Sequence, residues 1–175
     1  MVRKELDEKL CRDFPLLYED RTASMQSTLM CWGFDCEDGW FGLIYNLSSD
    51  IEKEIKELIA EDNTVKMKLW ILAYRIMFAI TGDKKYSPFS FYYPKAVQVK
   101  EKYGGLRFYM TCGSDRIFNL IGKAEEDSLR ICEHCGNPGK ETGDGWIRTL
   151  CEPCELGLDK WRKDKAKKWE ISLEE

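Results

Sequence analysis

Two cysteine pairs constrain this chain more than any other feature. The segment CEHCGNPGKETGDGWIRTLCEPC, residues 132–154, holds Cys132 and Cys135 two residues apart, a spacer of 15 residues, and then Cys151 and Cys154, again two apart. Such a gap lets both thiolates of a knuckle reach one ion, and two knuckles complete a tetrahedron, the geometry of structural zinc. Cys132, Cys135, Cys151 and Cys154 are therefore the expected ligands of one Zn2+. Gly136, Pro138, Gly139, Gly143 and Gly145 bend the spacer into a hairpin, and Trp146–Leu150 reads as its second strand. A helical stretch, ELGLDKWRKDKAKKWE, follows Cys154. Knuckle, hairpin, second knuckle and closing helix is the order of a treble-clef finger. A zinc ribbon, the alternative, lacks the helix.

Four thiolates fill the shell of a zinc ion and leave no position for water, so the expected site is structural rather than catalytic. Its metal contributes directly to folding. Neither pair sits in the βαβ context of a redox-active CxxC. His134, the single histidine, lies inside the first knuckle. It could replace a cysteine, but four cysteines suffice and a solvent-facing position is the simpler expectation. One histidine also leaves none for a catalytic or facial triad.

The rest of the chain reads as an α+β body. With 175 residues, 43% hydrophobic and 13% aromatic, it supports one domain with a small appended module. We place the body at 1–128 and the finger, packed on it, at 129–175. Residues 3–13 read as a helix ended by Pro15. Apolar residues at 40, 44, 47, 51, 55 and 58 describe one helical stripe over about 39–60, with Asp50, Glu52, Lys53, Glu54, Lys56 and Glu57 on a solvated face. A second, more buried helix is expected over 65–80. Its run LWILAYRIMFAI has 12 residues, short of the roughly 20 a membrane span needs, and so reads as a core element. AVQVKEKYGGLRFYM, residues 96–110, alternates apolar and polar residues about Gly104-Gly105, a β-hairpin with glycines supplying the positive φ of the turn. Ser114-Asp115 caps a helix carrying Ile117, Leu120, Ile121 and Ala124 on one face.

The most reactive lettering lies in CWGFDCEDGW, residues 31–40. Cys31 and Cys36 could share a second zinc site with Cys11 and Cys112. Asp35, Glu37 and Asp38 could hold a hard cation in a nuclease-like site. Cys31 or Cys36 as a nucleophile lacks a base. A structural reading explains more of the letters. Asp38-Gly39 caps the helix that begins near Trp40, and Trp32, Phe34, Trp40 and Phe41 pack as an aromatic anchor.

The motifs FPLLYEDR, CWGFDCEDGWFGLI, VKEKYGGLRFYM and ICEHCGNPG…GWIRTLCEPC together resemble those of a family of small bacteriophage and prophage zinc-finger proteins. The resemblance covers most of the chain and fits residues 60–90 least. It carries no activity. It implies a small soluble zinc-finger protein of the bacterial cytoplasm, which agrees with the charged opening MVRKELDEKL and its lack of a secretory pattern. Members of this type carry fewer cysteines in the opening motif, which implies a structural role for Cys31. Small phage accessory proteins often bind and redirect a host protein, including components of antiviral defence.

The leading expectation is thus a non-enzymatic, zinc-binding phage accessory protein that binds a host protein. Exposed aromatics of residues 86–93, among them Phe89, Phe91 and Tyr92, are its candidate contacts. The alternative is DNA or RNA binding. The net charge of −4 argues against coating nucleic acid, yet residues 159–168 carry six basic and two acidic side chains. Lys160, Arg162, Lys163, Lys165, Lys167 and Lys168 would meet phosphates, with Trp161 and Trp169 interleaved and Arg148 extending the patch. The plainer reading is a solvated helix whose two tryptophans, on one face, pack on the core.

Overall fold

Pro15 cannot continue a helix, and the fold is organised around what happens next. In the computed structural model, which describes residues 1–61, 65–82, 93–143 and 145–160, helix α1 spans Lys4–Asp13. The backbone N–H groups of Leu16 and Leu17, freed by the break, donate to the Glu52 carboxylate at 3.4 and 2.9 Å. Glu52 lies on helix α2, Phe41–Glu61, and is only 3% exposed. The face expected to be solvated therefore supplies a buried cap, a correction at this residue. The opposite stripe is as expected: Trp40, Ile44, Leu47, Ile51 and Ile55 are buried. Each such side chain contributes roughly 1.5–3 kcal/mol by leaving water.

Strand β1, Phe34–Asp35, runs parallel to β2, Ala96–Lys102, with Phe34 opposite Val99. Strand β3, Gly105–Met110, returns antiparallel, with Val99 opposite Phe108. The hairpin is the expected one, but its turn is shifted by one residue. Tyr103 and Gly104 hold the positive φ angles, 53° and 76°. Helix α4, Asp115–Ser128, starts where Ser114 accepts the N–H of Ile117 at 3.3 Å. It packs Ile117, Ile121 and Ala124 between α2 and β3.

Helix α3, Val65–Thr81, has the expected position and the opposite environment. Leu69, Leu72, Ile76 and Ile80 are 62, 54, 51 and 74% exposed. None of its side chains described in these terms is buried. The described core cluster draws on α1, α2, α4 and the sheet and includes none of the described α3 side chains. No described helix is long and apolar enough to cross a membrane.

Beyond α4 lie β4, Lys140–Thr142, and β5, Arg148–Leu150, paired antiparallel. Residues 152–160 form a final described helix, α5.

Candidate metal centre

The first knuckle is shaped by its own backbone. The N–H of Cys132 donates to the Asn137 carbonyl at 2.7 Å, and Gly136 N–H donates back to the Cys132 carbonyl at 2.9 Å. Gly136 sits at φ 79°, the left-handed geometry that brings the chain round. Cys151 follows β5 directly, and Cys154 lies on the first turn of α5, where its N–H donates to the Cys151 carbonyl at 3.0 Å. Knuckle, hairpin, knuckle and helix thus follow in the expected order.

These turns bring four sulfurs together. The Sγ atoms of Cys132, Cys135, Cys151 and Cys154 all lie within 4.8 Å of one another, and those of Cys135 and Cys151 are 3.5 Å apart. A tetrahedral shell with Zn–S near 2.3 Å separates its sulfurs by about 3.8 Å, so the donor set fits a metal ion of this kind. Desolvation and the three neighbouring cysteines push the Cys154 thiol above its ordinary pKa. A bound cation reverses that preference by stabilising thiolates. Cys132 is buried, Cys151 and Cys154 are half-buried and Cys135 faces solvent.

CWGFDCEDGW is the seat on which this unit rests. Gly39 N–H donates to the Glu133 carbonyl at 2.8 Å, and the Trp40 indole N–H donates to the Ile131 carbonyl at 2.8 Å. The backbone N–H of Glu37 donates to the Glu133 side chain at 3.1 Å. Arg148 then bridges two carboxylates. One of its guanidinium nitrogens lies 2.6 Å from Glu37 and 2.9 Å from Glu133. From the finger, Thr149 donates its hydroxyl to the Gly104 carbonyl at 2.6 Å.

The electrostatics of this seam differ between its two acids. Burial raises Glu37, but hydrogen bonds from His134 and Arg148 outweigh it and hold its pKa below the ordinary value. Burial dominates at Glu133, whose side chain is 4% exposed, and raises its pKa despite the same arginine. Glu37 has two cationic or potentially cationic partners and more solvent, which explains the opposite directions.

The other expected sites come apart. Among the described residues, the four finger cysteines are the only group of three or more potential metal donors. Cys11 lies 3.4 Å from Asp7, and burial with that carboxylate pushes its pKa up to about 12. Cys31 faces the Thr28 carbonyl at 3.1 Å, Cys36 is buried with a raised pKa, and Cys112 is exposed. A second zinc site from these four is therefore not formed. Nor do Asp35, Glu37 and Asp38 converge. Glu37 is bound to the finger, and Asp38 accepts the backbone N–H of Arg3 at 2.8 Å and pairs with its side chain, instead of capping the helix that begins near Trp40. Trp32 is 58% exposed and stands outside the expected aromatic anchor.

His134 is no ligand. Its Nδ1–H donates to Glu37 at 2.6 Å, and the side chain is mostly solvent-facing. Arg148, 15% exposed and held by two carboxylates, adds nothing to a basic patch. Lys160 is exposed on α5. Arg162, Lys163, Lys165, Lys167, Lys168, Trp161 and Trp169 lie outside the described residues, as do Phe89, Phe91 and Tyr92. Tyr93, at the end of the expected contact loop, is buried. The pairing of Glu37 and Glu133 through Arg148 was missed by sequence reasoning, since nothing in the local pattern links positions so far apart.

No family model, curated protein or solved structure matches the chain.

Proposed function

We propose that the chain is a non-enzymatic zinc protein that acts by binding another macromolecule, a host protein in the bacterial cytoplasm. The observation that carries this reading is the closed character of the metal centre. Four cysteine sulfurs would saturate one zinc ion, and two acids beside the first knuckle, Glu37 and Glu133, are paired with Arg148. Such a shell leaves no coordination position for a metal-bound water. The order of knuckle, hairpin and helix supports a treble-clef finger over a ribbon. The resemblance to phage accessory proteins supports a host protein as the target. The exposed apolar side chains of α3 support it too, because such a surface is unfavourable in water unless a complex covers it.

The test is capture of tagged, zinc-loaded protein from bacterial lysate, with and without nuclease. The reading requires one protein that stays bound after nuclease treatment and binds again when purified. Recovery of nucleic acid alone, or of nothing, overturns it. Metal analysis in the same sample gives one zinc per chain if the assignment of the ion holds.

A further inference from the structure

Two large aromatic side chains stand in water where the finger meets the body. Tyr103, in the β2–β3 turn, and Trp146, in the finger loop before β5, are each 71% exposed. Both line one cleft of about 370 Å³, together with Asp35, Glu101, Lys102 and Ile147. We propose that this cleft takes an arginine side chain presented by a partner protein, an inference that rests on the protein-binding reading above.

The cleft is built, not incidental. Tyr103 is fixed in a left-handed turn at φ 53°. Glu101 accepts the N–H of Gly104 at 2.7 Å, and the Gly104 carbonyl accepts the Thr149 hydroxyl. A β-carbon on Gly104 would meet Ile147 at 3.1 Å and Arg148 at 3.3 Å, so the turn lies directly on the finger strand. Tyr103 and Trp146 are therefore held around one cleft by the docked finger.

Its chemistry selects a cation. Aromatic faces attract positive charge through their quadrupole. Tyr103 already shows this preference, with the Lys102 ammonium 5.4 Å from its ring centroid. Asp35 is exposed, and its carboxylate has no ion-pair partner among the described residues. Glu101 uses one oxygen on the turn. The adjoining cleft shares Asp35, Glu101 and Trp146 and adds Glu37 and Glu133, with Arg148 and Met1 also on its wall. Four carboxylates against Lys102, Arg148 and the terminal ammonium leave the lining weakly acidic, which disfavours phosphate. A guanidinium is favoured over an ammonium because its flat face stacks on rings while its edge binds a carboxylate bidentately. Lys102 acts as an internal placeholder that the incoming arginine displaces.

The probe is a short Gly-Ser peptide with one central arginine, titrated into the zinc-loaded full chain while the indole N–H of Trp146 is followed by NMR. The matched peptide carries citrulline, which keeps the shape and removes the charge. Saturable binding is expected, about tenfold tighter for arginine than citrulline. Asp35→Asn and Tyr103→Ala should each weaken it about fivefold or more, with zinc content and melting temperature unchanged. Lys102→Met should tighten it, an effect that a merely structural role would not produce. Equal binding of the two peptides, no movement of Trp146, or a shift seen only with single-stranded oligonucleotide overturns the proposal. Those results leave a lysate partner captured through another face intact. Conversely, arginine binding without a lysate partner removes the host-protein reading alone.

Discussion

Gly39 and Cys132 touch backbone to backbone. A β-carbon on residue 39 would collide with the Cys132 carbonyl oxygen, and would lie 2.5 Å from the Glu133 carbonyl and 2.6 Å from the Gly136 nitrogen. The glycine of the CEDGW motif is thus the point where the body enters the first metal knuckle. Gly39 N–H fills the Glu133 carbonyl at the same place. The obstructing atoms are all main chain, so no side-chain rotation relieves the collision.

Gly39→Ala should therefore cost on the order of 3 kcal/mol of stability, read from denaturant midpoints of the zinc-loaded protein. Gly42→Ala is the control. A β-carbon there meets nothing within 4 Å, and the residue lies inside α2. Its loss of backbone freedom in the unfolded chain should stabilise by about 0.5–1 kcal/mol.

Arg148→Met leaves Glu133 buried without its cation and Glu37 short of one partner. Removing one member of a buried pair costs about 3 kcal/mol, since the remaining charge stays desolvated. Arg148→Lys should recover only part of this, because an ammonium cannot span both carboxylates in a fixed fork. The same denaturation series checks both variants. A loss below about 0.5 kcal/mol for Arg148→Met would mean that the bridge contributes no more than an exposed surface pair.

The seam also has a pH signature. Glu37 ionises more readily in the folded chain than its ordinary value of 4.5, because His134 and Arg148 favour the carboxylate. The folded state then binds its proton more weakly than the unfolded state. Its contribution is complete above pH 4.5 and is lost as pH falls through the lower, folded pKa. Glu37→Gln should be less stable than the parent by about 1 kcal/mol at neutral pH, and the two curves should converge in acid. Denaturant midpoints taken across that range give the comparison.

Much of this was legible in the sequence, and the failures have physical causes. The cysteine spacing identifies the four-sulfur cluster because a knuckle is local. Ser114 marks the start of α4 because an N-cap needs only its own next turn. The hairpin was legible from its alternation, but its turn was not. The second glycine, Gly105, serves close packing instead: a β-carbon there would meet Arg107 and Leu129 at 3.1 Å. Glu52 looked like one more solvated acid because its partners, Leu16 and Leu17, are brought to it by the fold. The Glu37–Arg148–Glu133 bridge is hidden for the same reason. Hydrophobicity pointed to α3 as a buried core element, yet its described side chains are exposed, because apolar content does not say which surface covers it.

The central claim is that CWGFDCEDGW serves the finger and that the metal holds both together. Hydrogen exchange at the Gly39 and Trp40 amides, with zinc bound and after chelation, tests it most directly. Gly39 N–H is tied to Glu133 in the finger, so its protection should fall on zinc removal together with that of Cys132 and Gly136. Protection at Gly39 that survives chelation while the finger amides exchange freely would contradict the claim. It would show that this segment holds its structure without the metal unit.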